Sequence, residues 1–497
     1  MSDNLKQRVR TRFAPSPTGY MHIGNLRTAL YAYLYAKKEQ GDFILRIEDT
    51  DQKRFVADAV DFIKRTLAAA HIVADEGPDI GGEYGPYVQS ERKEIYQKYA
   101  DELIASGHAY RCFCDSSAAA EAEPEPADEA DKYKKKPGHC EICRALSKEE
   151  SDVKAAEGIP FVIRQLMPPS GPVTFYDIVH GNISIDASEL EDQVLIKRDG
   201  LPTYNFANVI DDHLMDVSHI IRGVEFITST PKHVLLYDFL GWTPPAFIHL
   251  PPVMGKNEDG SVSKLSKRHG STGFSELVDL GYLPEAITNY VALLGWSPKS
   301  TQEVFSMEEM QAAFTLEGLS KSPAVFDYAK LDWFNSEYLK AMSDEDFAAL
   351  ARPYAQEIAD SLGDKWVYLA ALLKTRVARL GEVPEKIDFL PAPHEYTSED
   401  FLNKKNKVTL ELAGEIIPAA VAALSAIDAA NWNPDAINDA LHAYIEASGK
   451  KMGTIMWPLR IALSGCRVTP GGVTELLYLL GKDESITRLN AGIAKLA

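Results

Sequence analysis

One passage near the amino end constrains the fold of this chain more than any other. Val9, Thr11 and Phe13 alternate with Arg10 and Arg12, as the two faces of a strand do. Pro15, Pro17 and Gly19 then force a turn, and from Asn25 the apolar residues Leu26, Ala29, Leu30, Tyr33 and Leu34 recur at helical spacing. Phe43, Leu45 and Ile47 form a second strand, and Val56, Val60, Ile63 and Leu67 a second helix. This β-α-β-α order predicts a parallel sheet with its ligand at the carboxyl ends of the strands. His22-Ile23-Gly24-Asn25 falls at the strand-to-helix turn. There a helix N-terminus offers free N–H groups and the positive end of its dipole to an anion. Gly24 lets the backbone approach a nucleotide closely, and His22 can donate to phosphate oxygens. Taken alone, a turn histidine is more often structural.

Much later stands Lys264-Leu265-Ser266-Lys267-Arg268, among Gly255, Gly260 and Gly270. Glycine-rich flanks suit a loop that closes over a ligand. Lys264 and Lys267 would stabilise charge on a phosphoryl transition state and a leaving pyrophosphate without any covalent nucleophile. As a pentamer it reads as a basic surface loop; paired with the earlier turn it reads as half of a nucleoside triphosphate site.

The cysteines add a third feature. Cys112-x-Cys114 is followed, after 25 residues, by Cys140-x2-Cys143. Four thiolates can close a tetrahedral zinc site, with His139 as an alternative ligand. Five cysteines in 497 residues, four of them clustered, fit a reducing compartment and a metal better than a disulfide framework. Cys466 lies apart and reads as a packed core thiol.

This length exceeds one hydrophobic core, so roughly two to four domains are expected. With 45% hydrophobic and 25% charged residues, disorder is excluded as the main state. No apolar run is long enough to span a bilayer. Met1 to Gln7 is polar and lacks a signal region, so the cytoplasm is the expected location. Taken as a total, the net charge of −20 argues against a nucleic-acid partner. Local potential decides binding, however, and an acidic remainder either suppresses non-specific adhesion or only aids solubility. The Ala/Glu/Pro-rich stretch from Ser116 to Asp131 and Lys134-Lys135-Lys136 break the α/β pattern. The pattern returns with Tyr204 to Asp212, a strand at Val217 to Arg222 and a helix from Pro231 to Leu240. An insertion between two halves of a nucleotide-binding fold explains that order. From about Met307 helical patterns dominate, with few strand signals.

The phrase from Arg12 to Asn25 resembles the glutamyl-tRNA synthetase family. So do Phe43 to Asp51, Asp75 to Pro78, Gly85 to Arg92, Tyr204 to His213 and Ile221-Arg222-Gly223. The turn and the loop are similar to the HIGH and KMSKS signatures of class I aminoacyl-tRNA synthetases, with Asn25 for the final His and Arg268 for the final Ser. Both variants are normal for glutamyl enzymes. The resemblance implies an α/β, Rossmann-type catalytic domain with an inserted α+β acceptor-binding domain and an all-α anticodon-binding region. The expected boundaries are 1–110 and 196–250 for the catalytic halves, 111–195 for the insert, 251–335 for a stem-contact region and 336–497 for the helical domains.

The same resemblance implies a ligase that uses ATP with Mg²⁺ to join L-glutamate to tRNA(Glu) through glutamyl-adenylate. His22, Gly24, Asn25, Lys264, Ser266, Lys267 and Arg268 would serve ATP, with His22, Lys264 and Lys267 catalytic. Glutamate carries two carboxylates and one ammonium, so its site needs roughly two arginines and one acid. By resemblance Arg12 would grip the side-chain carboxylate, Arg222 the α-carboxylate and Glu48 the ammonium, with Ser16, Tyr204 and Asn208 adding hydrogen bonds. Arg376 falls near the family's reader of the third anticodon base. The Cys112, Cys114, Cys140 and Cys143 set would hold a structural Zn²⁺, and a monomer is the family default. Three rivals remain. A truncated glutamyl-queuosine enzyme would lack the helical tail. A glutaminyl-tRNA synthetase would carry Pro-Glu-Pro-Asn where Pro15-Ser16-Pro17-Thr18 stands. A non-catalytic RNA-binding paralogue would not need the intact His22, Lys264, Arg12 and Glu48.

Overall fold

A computed structural model describes residues 8–114 and 140–496. His139, the Ser116 to Asp131 stretch and Lys134 to Lys136 lie outside the described residues. The chain divides into two units, Met1–Glu276 with Ile287–Asp327, and Leu277–Ala286 with Tyr328–Ala497.

The strands of the first unit are β1 Arg10–Phe13, β2 Asp42–Leu45, β3 Ala109–Cys112, β4 Val162–Gln165, β5 Pro172–Asp177, β6 Gly181–Asp186, β7 Val194–Ile196, β8 His219–Gly223, β9 Ala246–Leu250, β10 Val253–Lys256, β11 Val262–Lys264 and β12 Ala324–Phe326. β1 pairs in parallel with β2, and β8 with β9. The Ser218 N–H donates to Arg10 O at 2.9 Å, which places β8 beside β1. β5 adds to β9 in parallel and carries β6 as an antiparallel edge. The order is therefore β2-β1-β8-β9-β5-β6. From the central β1 and β8 the chain leaves in opposite directions, through the helices Ile23–Lys38 and Thr230–Phe239. That divergence opens a crevice at the carboxyl ends of the two strands, where ligands bind in such sheets.

Every residue of β1 is buried. The polar face is covered as fully as the apolar one because each arginine finds carboxylates: Arg10 pairs with Asp42 and Glu76, and Arg12 with Asp212. The antiparallel sheet β3-β4-β7 stands between the two halves of the main sheet in sequence. The β5–β6 hairpin comes from the stretch expected to belong to the insert, yet Asp177 pairs with Phe247 of β9. A third small sheet, β11-β10-β12, carries the lysine loop on its β10–β11 hairpin. β12 is three residues long, too short for an alternation pattern to be read.

The second unit is helical. Its core joins Trp366, Leu369, Leu373, Ile416, Ile417, Leu459 and Leu477 among others. Three of its helices begin on side chains that satisfy free N–H groups: Ser343 accepts from Asp346 N, Thr409 from Leu412 N and Asn433 from Ala436 N. Among the described residues no helix is long and apolar enough to cross a membrane.

Candidate active site

The crevice at the ends of β1 and β8 holds a buried network of charges. Arg12 Nε and Nη2 donate to Asp212 Oδ1 and Oδ2 at 3.0 and 3.1 Å. Arg46, fully buried, donates to Asp212 Oδ1 at 2.8 Å and to Glu48 Oε1 at 2.9 Å. Asp211 takes Arg92 Nε at 2.7 Å, Gln89 Nε2 at 2.8 Å and the Tyr96 hydroxyl at 2.9 Å. Three guanidinium groups thus balance three carboxylates. Burial pushes the Glu48 and Asp211 carboxyls up, with arginines opposing. For Asp212 burial acts the same way, but Arg12 and Arg46 overcome it and hold its carboxyl below the usual range.

Arg222, at the end of β8, stands outside that balance. Among the described residues no carboxylate reaches it at ion-pair distance. Its Nε donates to His249 Nε2 at 3.0 Å and its Nη2 to Thr230 Oγ1 at 2.7 Å, and its plane lies 5.3 Å from the Phe226 ring centroid. Burial draws this guanidinium below its ordinary value. The Tyr204 hydroxyl sits among Arg222, Glu48, Arg12 and Asp212. Asn208, fully buried, can donate to Glu48 Oε1 at 3.3 Å. Turned over, its amide instead donates to Asp212 and accepts from Arg12, both at 3.2 Å. Five of the six residues expected to bind an amino acid therefore meet: Arg12, Glu48, Tyr204, Asn208 and Arg222. Ser16 is exposed on the loop after β1.

The two signatures also meet. The Ile23 N–H donates to Thr272 O at 3.0 Å, and His22 bridges to Gly273, just past the lysine loop. The His22 Nδ1 accepts from Gly24 N at 3.0 Å, capping the helix. That bond leaves the ring proton on Nε2. A Cβ on Gly24 would lie 2.8 Å from the His22 ring, so only glycine allows this cap. Desolvation lowers the His22 pKa and the Lys264 charge lowers it further, while Glu225 opposes. Asn25 is exposed on the first turn of the helix.

Lys264 ends β11 and is exposed. His269 pins the loop onto its hairpin: it meets Asn257 Oδ1 at 2.9 Å and Ser263 Oγ at 3.2 Å, and it accepts from Ser266 N at 3.1 Å. Gly255 makes room, since a Cβ there would lie 2.6 Å from the His269 ring. Arg268 donates to Ser263 Oγ at 2.6 Å. Lys267 opens the turn Lys267–His269, and its side chain lies outside the described atoms.

The four sulfurs of Cys112, Cys114, Cys140 and Cys143 lie within 4.8 Å of one another. A tetrahedral zinc with Zn–S near 2.3 Å needs edges of roughly 3.8 Å, so this donor set fits one. The Phe113 N–H donates to Cys143 Sγ at 3.3 Å, and the Cys143 N–H to Cys140 Sγ at 3.4 Å, as expected for thiolate ligands.

In the helical unit Arg376 is exposed just past the helix Lys365–Leu373, with no ion-pair partner among the described residues. Its neighbours are engaged: Lys374 pairs with Asp344 at 2.6 Å, and Arg379 Nη1 donates to Tyr282 Oη at 3.1 Å. Cys466, expected as a packed core thiol, packs against the edge of the helical core. It is half-buried and lies 3.3 Å from His394 Nδ1. Arg46, Gln89, Asp211 and Asp212 were not singled out from sequence, although each stands inside a phrase that carried the resemblance. His233 and His249 had no signal beyond a histidine in an apolar run.

Residues 8–333 match the family described as tRNA synthetases class I (E and Q), catalytic domain, and residues 334–493 match an anticodon binding domain. The chain is 48% identical over 487 residues to a glutamate–tRNA ligase of Clostridium botulinum, covering 98% of this chain and 99% of the relative. It is 48% identical over 491 residues to that of Clostridium tetani, covering 98% of each. Among solved structures, a glutamate tRNA ligase of Elizabethkingia meningosepticum in complex with its amino acid superposes with a TM-score of 0.84 at 35% identity, over 99% of this chain and 100% of that one.

Proposed function

The chain belongs to the glutamate–tRNA ligase family of class I tRNA synthetases, and on that premise we propose how its site joins glutamate to tRNA with ATP. ATP binds between the His22 turn and the Lys264 hairpin, with Mg²⁺ on its phosphates. The Nε2–H of His22 donates to the phosphates, and Gly24 and Asn25 offer the start of the helix. Lys264, Lys267 and Arg268 neutralise the charge that grows as pyrophosphate leaves, and Ser266 adds a hydrogen bond. Glutamate binds in the crevice beside them. Arg222 takes the α-carboxylate, and Arg12 takes the side-chain carboxylate through its Nη1, which among the described residues donates only to the Ile221 carbonyl, at 3.4 Å. Glu48 takes the ammonium; Ser16, Tyr204 and Asn208 add hydrogen bonds.

Buried Arg222 carries this reading. The neighbouring charges balance without it, so the crevice has one uncompensated cation, and glutamate brings one net negative charge. The α-carboxylate attacks the α-phosphorus, giving glutamyl-adenylate and pyrophosphate. The terminal adenosine of tRNA(Glu) then attacks the acyl carbon through its 2′-hydroxyl, in the manner of the class. Positioning and charge stabilisation supply the catalysis, with no covalent enzyme intermediate. The four cysteines would hold a structural Zn²⁺ in an inserted domain at 111–195 that meets the acceptor stem. Residues 1–110 and 196–250 would form the catalytic halves, 251–335 the stem-contact region and 336–497 the anticodon-binding region, with Arg376 reading the third anticodon base. We place the enzyme in the cytoplasm as a monomer.

The test is charging with labelled glutamate, ATP and Mg²⁺ on separately transcribed glutamate and glutamine tRNAs. Charging of the glutamate tRNA alone is expected. Charging of both would keep the chemistry and remove the role given to Arg376. Charging of neither by folded protein, with native tRNAs also supplied, would overturn the ligase reading.

A further inference from the structure

Two buried histidines surround Arg222 and the chemistry above does not use them. His249, on β9, accepts from Arg222 Nε at 3.0 Å. His233, on the helix Thr230–Phe239, presents Nδ1 to Arg222 Nη1 and Nη2 at 3.4 and 3.3 Å. A ring nitrogen that accepts from a guanidinium carries no proton. In each ring the opposite nitrogen is fixed as the donor: His249 Nδ1–H to Asp177 Oδ2 at 2.7 Å, and His233 Nε2–H to Asn205 Oδ1 at 2.9 Å. Asp177 is locked in turn by the backbone N–H groups of Val179, His180 and His249 at 2.9, 2.8 and 3.0 Å. Its carboxylate stands one imidazole away from Arg222 and pairs with the ring instead.

We propose that His249 and His233 are positioning residues that fix the Arg222 guanidinium with neutral acceptors, so that its charge stays available to the carboxylate of the amino-acid substrate. The inference rests on the reading of Arg222 as the carboxylate anchor. Acidic side chains in their place would satisfy the same N–H groups but neutralise the cation. The incoming carboxylate would then lose its water without gaining a counter-charge. Apolar side chains would leave buried donors unpaired and the guanidinium loose. The neutral rings avoid both outcomes, and Asp177 behind His249 offsets part of the cost of the buried cation from a distance.

The experiment compares acid with amide at equal size in the full-length protein: His233→Glu with His233→Gln, and Thr230→Asp with Thr230→Asn. Charging of glutamate tRNA gives KM for glutamate and for ATP, and thermal melting reports the fold. Each acidic variant is expected to melt at or above its amide partner, because it pairs a lone buried cation. It should nonetheless raise the glutamate KM at least about tenfold over the amide, with the ATP KM within about twofold. Equal glutamate KM values for acid and amide, an ATP KM that rises in step, or failure of both acidic variants to fold would overturn the proposal. Arg222→Ala separates the two levels. If it leaves the glutamate KM unchanged, the anchor reading fails. If it raises that KM while the acidic variants match their amides, only the histidine inference fails.

Discussion

Asp212 carries more of the crevice than any residue read from sequence. It is fully buried, grips Arg12 through two bonds and takes a third from Arg46. Asp212→Asn keeps the shape but leaves Arg12 without its carboxylate and Arg46 with Glu48 and Asp211, and removing one partner of a buried pair costs about 3–5 kcal/mol. Urea unfolding is expected to record such a loss for the first unit; a change below about 1 kcal/mol, the worth of an exposed pair, would contradict the burial. The buried histidines give a pH signature. His219, His233 and His249 are all held below the ordinary histidine value, chiefly by burial. Unfolded, each takes up a proton near about pH 6.5; folded, each resists. The unfolded chain therefore binds more protons below that point, and stability falls as pH drops. The melting temperature should decline from about pH 7 to about pH 5.5. A rise across that window would show these rings to be charged in the fold. Glu48 and Asp211, pushed up by burial, act the other way as they take up protons. The residues legible in sequence were those that would touch ligand, because their types match the ligand's charges. Asp212 and His249 were not, since their partners lie 200 and 27 positions away in Arg12 and Arg222.

The elements were easier to read than their boundaries. The strand, turn and helix from Arg10 to Lys38 form where the alternation and the helical spacing place them. Local pattern suffices for a helix of about four turns, here buried on every side from Ala29 to Leu34. It fails for β12 and for the β5–β6 hairpin, whose place is set by pairing with β10 and β9 rather than by their own sequence. The cysteine spacing pointed to four residues that the fold brings within 4.8 Å of one another, because ligand geometry, not secondary structure, governs such spacing. β3 ends in Cys112, and a single turn, Glu141–Arg144, brings Cys140 and Cys143 to it. Zinc would be the main tie between these two short pieces. Protein purified without chelator is expected to carry about one equivalent by metal analysis, and less than about a tenth of an equivalent would remove the metal. Stripping it should raise amide hydrogen exchange in 109–112 and 140–146, with the glutamate KM unchanged.

At the scale of the whole chain, a net charge of −20 must coexist with a polyanionic partner. The fold of the first unit resolves part of this by pairing its sheet arginines internally, while exposed cations such as Lys264 on its hairpin, and Arg376 in the helical unit, have no ion-pair partner among the described residues. Binding through local cations releases counterions, so the tRNA KM should rise at least about tenfold between about 50 and about 200 mM KCl, while the glutamate KM stays nearly flat. The same titration discriminates two roles for Arg376. A phosphate contact removed by Arg376→Ala lowers the salt slope by about one and weakens all tRNAs alike. A base contact leaves the slope nearly unchanged and relaxes the choice of tRNA, with a penalty of about 1–3 kcal/mol on the preferred one. An exposed guanidinium free of protein carboxylates, beside a lysine and an arginine that are both engaged, favours the second outcome: Arg376→Ala should charge glutamine tRNA measurably better relative to glutamate tRNA, at an unaltered salt slope. A reduced slope with unchanged preference would assign Arg376 to the backbone.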